Sequence, residues 1–184
     1  MVVEALEKKL YDAASKGDEA TFSQLLPQDP YLVETLSFPS SINILHIATM
    51  HGHISMVEEV LKFNPRLVRI SVSQKSSPLH IAAEAGHVEI ASKLLRVAPQ
   101  MCWLRDDQGM NPIHLAAMNG HVEIVQHILH ESCLPAMERL DRGQTVLHLC
   151  VKHGQLRVLE VLGELVCAKD DDGETLLHLA VVRL

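Results

Sequence analysis

The sequence predicts an all-α solenoid of stacked helix pairs, on the evidence of a recurring tetrapeptide, a regular spacing and an aliphatic composition. Of the 184 residues 47% are hydrophobic but only 3% aromatic, which suits a core of Leu, Ile, Val and Ala between packed helices. The repeated tetrapeptides are Asn43-Ile44-Leu45-His46, Ser77-Pro78-Leu79-His80, Asn111-Pro112-Ile113-His114, Thr145-Val146-Leu147-His148 and Thr175-Leu176-Leu177-His178. Their histidines are separated by 34, 34, 34 and 30 residues, and such self-similarity indicates a repeat protein.

Each tetrapeptide has the chemistry of a helix start. Its first residue is a strong N-cap type, and Pro78 and Pro112 occupy the first helical position, where a missing N–H costs little. A glycine that can end the helix follows six residues after four of the histidines, at Gly52, Gly86, Gly120 and Gly154. Apolar residues at helical spacing then predict a second helix, as in 88–95 and 122–129. Residues 106–109, 141–143 and 171–173 are turn sequences that predict tight hairpins between repeats.

The whole chain, 1–184, is predicted to be one repeat domain. A degenerate first copy spans Leu10 to Asp18, so the repeats are placed at about 3–36, 40–70, 74–104, 108–138 and 142–168, with a truncated sixth at 172–184. No pair can bury its apolar face alone, so the pairs must stack on one another. The end of the chain lacks a polar cap, and we expect the sequence to belong to a longer protein. The linkers 37–42 and 71–76 lack an Asp…Gly turn and are expected to be looser.

These tetrapeptides and the glycines after them resemble the ankyrin repeat, whose signature is Thr-Pro-Leu-His, two alanines and Gly-His. The resemblance covers nearly the whole chain and implies a rigid scaffold that binds a protein on its concave face. The segments Asp29-Pro30-Tyr31-Leu32-Val33 and Asn64-Pro65-Arg66-Leu67-Val68 are similar to those of plant ankyrin-repeat proteins of defence and stress signalling. Those proteins carry a C-terminal membrane-spanning region, so the resemblance implies a cytoplasmic domain tethered to a membrane such as the plasma membrane.

Composition disfavours several other classes of protein. The net charge of -7 argues against a nucleic-acid-binding surface, which needs a basic stripe. Four cysteines without a Cys-x-x-Cys pair suit a reducing compartment rather than a disulfide scaffold. The charged N-terminus is unlike a signal peptide, and no apolar stretch is long enough to span a bilayer. We expect the chain to be soluble and cytoplasmic, without direct membrane contact.

Twelve histidines raise the possibility of metal or catalytic chemistry. The five in the tetrapeptides are expected to form hydrogen bonds at the helix start and between repeats, and His53, His87 and His121 are expected to be structural too. His127 and His130 have a spacing that could share a metal, but a solvated helix face is the favoured interpretation. The acidic run 170–174 lacks the distal glutamate of a calcium loop. With no phosphate loop, nucleophile elbow or paired carboxylates, we predict no enzyme activity, no cofactor and no metal.

The predicted function is binding of a protein partner of unknown identity by a signalling or adaptor protein. The candidate contacts are residues at positions that vary between copies, on the first helices and hairpin tips: Met50, His51, Glu84, Met110, Met118, Asn119, Arg142, Lys152 and His153. Met50, Met110 and Met118 are expected to form an exposed, adaptable apolar stripe. The alternatives are a regulatory segment of an enzyme or channel whose functional part lies beyond Leu184, and a nuclear adaptor for transcription factors.

Overall fold

The chain forms a helical solenoid, as the sequence predicts. The computed structural model describes residues 2–26, 42–70, 75–132, 134–140 and 143–167. Within these ranges there are eleven α-helices, two 3-10 helices and no strand. The α-helices are α1 (Val2–Lys16), α2 (Glu19–Leu25), α3 (Ile44–Met50), α4 (Ile54–Phe63), α5 (Pro78–Ala85), α6 (Val88–Val97), α7 (Pro112–Met118), α8 (Val122–Glu131), α9 (Leu134–Met137), α10 (Val146–Lys152) and α11 (Leu156–Cys167). The 3-10 helices are η1 (Pro65–Arg69) and η2 (Pro99–Trp103).

Ten of these α-helices form five pairs that stack in two layers. The first helices of the pairs, α1, α3, α5, α7 and α10, pack in that order, and the second helices, α2, α4, α6, α8 and α11, pack beside them. The core between the layers is built from equivalent residues of successive pairs, such as Leu45, Leu79 and Ile113, all at most 1% exposed. The predicted sixth repeat, with His178 and the acidic run 170–174, lies outside the described residues, as do 27–41 and 71–74.

The first helices of the second to fifth pairs begin with the same hydrogen-bonded cap. At Ser77, the hydroxyl accepts from His80 N at 3.4 Å, while Ser77 N donates to His80 Nδ1 at 3.2 Å. This is a capping box in which a histidine stands at the third helical position, where Glu or Gln is usual. Asn43 and Asn111 form the same box, and at Thr145 the backbone N donates to His148 Nδ1 at 3.2 Å in the same way. The predicted N-cap role of the side chain is confirmed for Asn43, Ser77 and Asn111.

The turn between the two helices of a pair requires glycine for two reasons. Gly86 has φ +80°, in the left-handed region that L side chains rarely adopt. A Cβ at Gly86 would also lie 2.5 Å from Cε1 of the His121 ring, which belongs to the next repeat. Gly52 is in the same situation against His87. The glycine therefore lets the next repeat approach the backbone closely.

Hairpin tips form where the sequence predicts them between the third, fourth and fifth pairs. Asp106 N donates to Met110 O at 2.8 Å, and Leu140 N donates to Gln144 O at 2.7 Å, so both turns close in the same way. Gly109 has φ +74°. Lys75, the equivalent residue 34 positions earlier, has φ +55° although it carries a side chain. The predicted turn at 171–173 lies outside the described residues.

Two short 3-10 helices were not predicted from the sequence. Each begins with proline directly after the second helix has ended, at Pro65 and Pro99. In the first, the Asn64 side chain accepts from Arg66 N at 3.0 Å and so caps the new turn. The sequence feature that could have predicted these helices is their proline, which is favoured at the first position of a helix. These helices return the chain toward the next hairpin tip and bury Leu67 and Met101 at their centres.

Candidate binding surface

The signature histidines join consecutive repeats. His46 Nε2 lies 3.3 Å from Ser76 O and His80 Nε2 lies 3.2 Å from Met110 O, in each case in the next repeat. In His80 the ring nitrogen Nδ1 accepts the Ser77 N–H, so Nε2 carries the proton that it donates to Met110 O. The predicted structural role is confirmed for these two residues. Each ring stabilises the start of its own helix and binds the backbone of the next repeat.

His114 departs from this pattern. Its Nδ1 accepts from Asn111 N at 3.2 Å, but its Nε2 is buried and has no hydrogen-bond partner. The equivalent acceptor would be Gln144 O, which accepts Leu140 N at 2.7 Å but receives no bond from His114. The predicted bond between repeats is therefore wrong for His114. Occupation of the carbonyl is not the reason, because Met110 O accepts both Asp106 N and His80 Nε2.

Burial keeps these histidines neutral. It lowers the pKa of His46 from 6.5 to about 4. Burial, followed by the positive charge of Arg105, lowers the pKa of His114 to about 4 as well. The pKa of His80 is also lowered by burial. Each ring is uncharged at neutral pH, as its role of accepting a backbone N–H requires.

A second set of contacts holds the C-terminal ends of the first helices. His53 Nε2 lies 2.9 Å from Ser15 O, and His121 Nε2 lies 3.1 Å from Glu84 O in the preceding repeat. In the last described pair a glutamine replaces the histidine, and Gln155 Nε2 donates to Met118 O at 3.1 Å. Glu84 and Met118 are candidate contact residues, so the next repeat fixes the backbone of the predicted site.

Most of the candidate residues lie in one row along the stack. They occupy the last position of a first helix or the residue that follows it, just before the turn glycine; Glu84 is one residue earlier in its helix. The exposed members are Met50, His51, Glu84, Asn119, Lys152 and His153. We call these six residues the groove row. Met50 is 52% exposed, which is high for a large apolar side chain. Arg142 lies outside the described residues.

The predicted stripe of exposed methionines is wrong in two of its three members. Met110 and Met118 are half-buried and pack against the core, whereas Met50 is exposed. Met110 follows the hairpin glycine at the base of its turn, where its carbonyl accepts from His80 of the preceding repeat. Met118 has its carbonyl bound by Gln155 of the next repeat. Both residues therefore lie at junctions between repeats, and Met50 alone offers apolar area to a partner at these three positions.

Other reactive side chains are buried or dispersed. Cys102 and Cys150 are buried, and burial raises the pKa of both thiols. His127 and His130 are exposed on α8, and Cys133 lies outside the described residues. Across the described ranges no three His, Cys, Asp or Glu side chains converge in a group that could hold a metal ion. Nor is any helix in the same ranges both long and apolar enough to cross a membrane.

The stacked helix pairs, with side-chain caps on the first helices and a variable row at the ends of these helices, define a helical repeat scaffold. Comparison with protein families identifies which scaffold it is. The family model described as ankyrin repeats (3 copies) matches residues 10–101, 45–139 and 94–169. The chain therefore belongs to the ankyrin-repeat family, whose members are generally protein–protein interaction modules and typically not enzymes. No curated protein matches the chain significantly.

Proposed function

We propose that this domain binds its protein partner along the groove row. The observation that supports the proposal is the contrast between repeated and variable positions. Capping residues and turn glycines recur from the second pair to the fifth, whereas the two residues before the glycine form a different combination in each repeat (Met-His, Glu-Ala, Met-Asn and Lys-His) and are mostly exposed. When the structural residues of a scaffold recur and the residues of one row vary, the variable row determines which partner is bound.

The rigidity of the row favours binding. The carbonyls of Glu84 and Met118 are held by His121 and Gln155 of the following repeats. Side chains on a fixed backbone lose less conformational entropy when a partner docks, so more of the contact energy appears as affinity. The hydrogen bonds between repeats thus serve the site as well as the fold.

The chemistry of the row changes along its length. Met50 and His51 supply an apolar and aromatic end, Glu84 supplies a negative charge near the middle, and Lys152 supplies a positive charge at the other end. A complementary partner would present an apolar side chain, then a cation, then a carboxylate in this order. Such a charge order selects one orientation of the partner and disfavours the reverse.

We further propose that the domain belongs to a signalling or adaptor protein of the plant membrane-tethered type, on the cytoplasmic face of a membrane. The support is the pair of Asp/Asn-Pro segments at 29–33 and 64–68. The test is the continuation of the coding sequence past Leu184 together with fractionation of the full-length protein. Hydrophobic helices and recovery in the membrane fraction are expected, and a soluble full-length protein would refute the tether.

The groove row can be tested before the natural partner is identified. Binders would be selected from a displayed library of protein fragments against the unmodified chain, and their affinities measured by titration. Met50→Ala and Lys152→Glu are expected to weaken such binders by about 1 kcal/mol or more, roughly fivefold. Met50 is a cleaner probe than Met118 because its side chain is outside the core.

Gln126→Ala and His130→Ala are matched controls, because both residues are exposed on α8 in the other layer. These controls should leave affinity and the unfolding midpoint unchanged. If the α8 substitutions abolish binding while the groove substitutions have no effect, the proposed surface is wrong.

A further inference from the structure

A second surface of the solenoid carries a graded set of side chains. It is formed by η1, η2 and α9, each of which follows the second helix of its pair. Residues 34 positions apart are equivalent here, which gives two series: Arg66, Gln100 and Leu134, and Arg69, Trp103 and Met137. We call these six residues the outer ridge. Along it the side chains change from two arginines to an amide and an indole, and then to two aliphatic side chains.

Contacts across one junction indicate that the ridge is continuous. With its amide oxygen turned toward the guanidinium, Gln100 lies 3.1 Å from Arg69 Nη2 and 3.3 Å from Nε. Residues three apart in a 3-10 helix lie on the same side, so Trp103 is beside Gln100. The same 34-residue step that relates Arg69 to Trp103 relates Gln100 to Leu134. By this equivalence we expect Leu134 to lie next to Trp103 at the following junction.

The cationic end of the ridge is formed by Arg66 and Arg69. Both are exposed, and neither forms an ion pair within the part of the chain that the structure describes. By contrast, Arg105 is paired with Glu138 and Lys93 with Glu58 across repeat junctions. Two adjacent guanidinium groups of this kind stand out in a chain of net charge -7. They form a local positive patch suited to carboxylates.

The other end of the ridge exposes apolar area. Trp103 is 41% exposed and Leu134 46% exposed, which places both among the large apolar side chains that the fold leaves uncovered. Tryptophan and arginine are also the residues most enriched at the energetic centres of protein interfaces. The ridge thus combines an anion-binding end with an apolar end.

We propose that the outer ridge binds an extended peptide segment of a partner protein, with carboxylates at Arg66 and Arg69 and apolar side chains on Trp103 and Leu134. This surface is separate from the groove row, so either proposal can fail without the other. An anionic membrane is the less suitable occupant, because the net charge of -7 opposes its approach. It would also require cations and apolar groups mixed at one depth, whereas here they occupy opposite ends.

The single tryptophan of the chain makes the test specific, since Trp103 is on the ridge and all indole emission reports from it. The probes are blocked peptides that join an Asp-Glu-Asp segment to a Leu-Phe-Leu segment through short glycine spacers, in both chain directions. At least one is expected to shift the emission to the blue in a saturable titration, with affinity that falls as salt rises. The same peptide with Asn and Gln in place of the acids should bind at least fivefold more weakly.

Substitutions then locate the contacts. Arg66→Glu and Arg69→Glu should each weaken the peptide at least fivefold, and Leu134→Ser should weaken it while leaving its salt dependence intact. Arg157→Glu is the matched control, an equal charge reversal at an exposed arginine of α11. The proposal is overturned if no peptide shifts the emission, if Arg157→Glu weakens binding as much as Arg69→Glu, or if vesicles of anionic lipid shift it while the peptides do not.

Discussion

Acidification is expected to destabilise this solenoid well above the range in which carboxylates titrate. His46 and His114 have a pKa of about 4 in the folded protein because they are buried, against 6.5 when exposed. Between these values the unfolded chain binds more protons than the folded one, so stability is fully present above pH 6.5 and falls as the pH drops toward 4. Protonation would also place a hydrogen on Nδ1 of His114, opposite the Asn111 N–H.

The size of the effect follows from the two pKa values. From pH 8 to pH 5.5, each histidine with these pKa values loses about 1.4 kcal/mol of folding free energy, so the two together lose about 3 kcal/mol. His80 contributes in the same direction, since burial lowers its pKa too. For a domain of this size, about 3 kcal/mol corresponds to a fall of roughly 6–12 °C in Tm. That is a large part of the ~5–15 kcal/mol typical of folded domains.

The assay is urea unfolding followed by far-UV circular dichroism at pH 8 and pH 5.5, on the unmodified chain and on His114→Gln. Glutamine at the third helical position keeps a capping box but does not titrate. The variant should therefore lose about 1.4 kcal/mol less stability than the unmodified chain over this interval. An equal pH dependence in both proteins would refute the assignment of the effect to His114.

Three further substitutions test local features of the stack by the same unfolding measurement. Thr49→Ala should leave stability unchanged or raise it by up to about 1 kcal/mol. The reason is that the buried Thr49 hydroxyl has no partner and that alanine occupies the equivalent positions 83 and 117. A loss of stability above about 1 kcal/mol would contradict this prediction. Lys75→Gly should stabilise the domain by about 0.5–1 kcal/mol, because glycine adopts the φ of +55° without strain. A clear loss of stability would show that the Lys75–Asp107 ion pair contributes more than the backbone strain costs. Gly86→Ala should lower the folding stability by about 2–3 kcal/mol, and Gly109→Ala by about 1 kcal/mol. Both glycines have a positive φ, but of the two only Gly86 would bring a Cβ against the His121 ring. Equal losses for the two glycines would mean that the approach of His121 does not limit this position.

The features that could be predicted from the sequence alone are those formed by residues that are close together in the chain. The capping box of Ser77 joins residues three positions apart, and the left-handed turn at Gly86 depends on one residue. Repetition of these local signals at a fixed spacing then indicated stacked helix pairs and the ankyrin family. The same spacing places Met50, Glu84 and Lys152 in equivalent positions.

Contacts between residues about 30 or more positions apart could be decided only by the tertiary structure. His114 and His80 occupy equivalent positions in the sequence, yet His80 Nε2 bonds to Met110 O of the next repeat while His114 Nε2 has no partner. Met118 and Met50 occupy equivalent positions that vary between the repeats, yet Met118 packs against the core while Met50 is exposed. The approach of Arg69 to Gln100 has no sequence signal either. In each case the outcome depends on how closely the next repeat packs, and that distance is set by the whole junction rather than by any one residue.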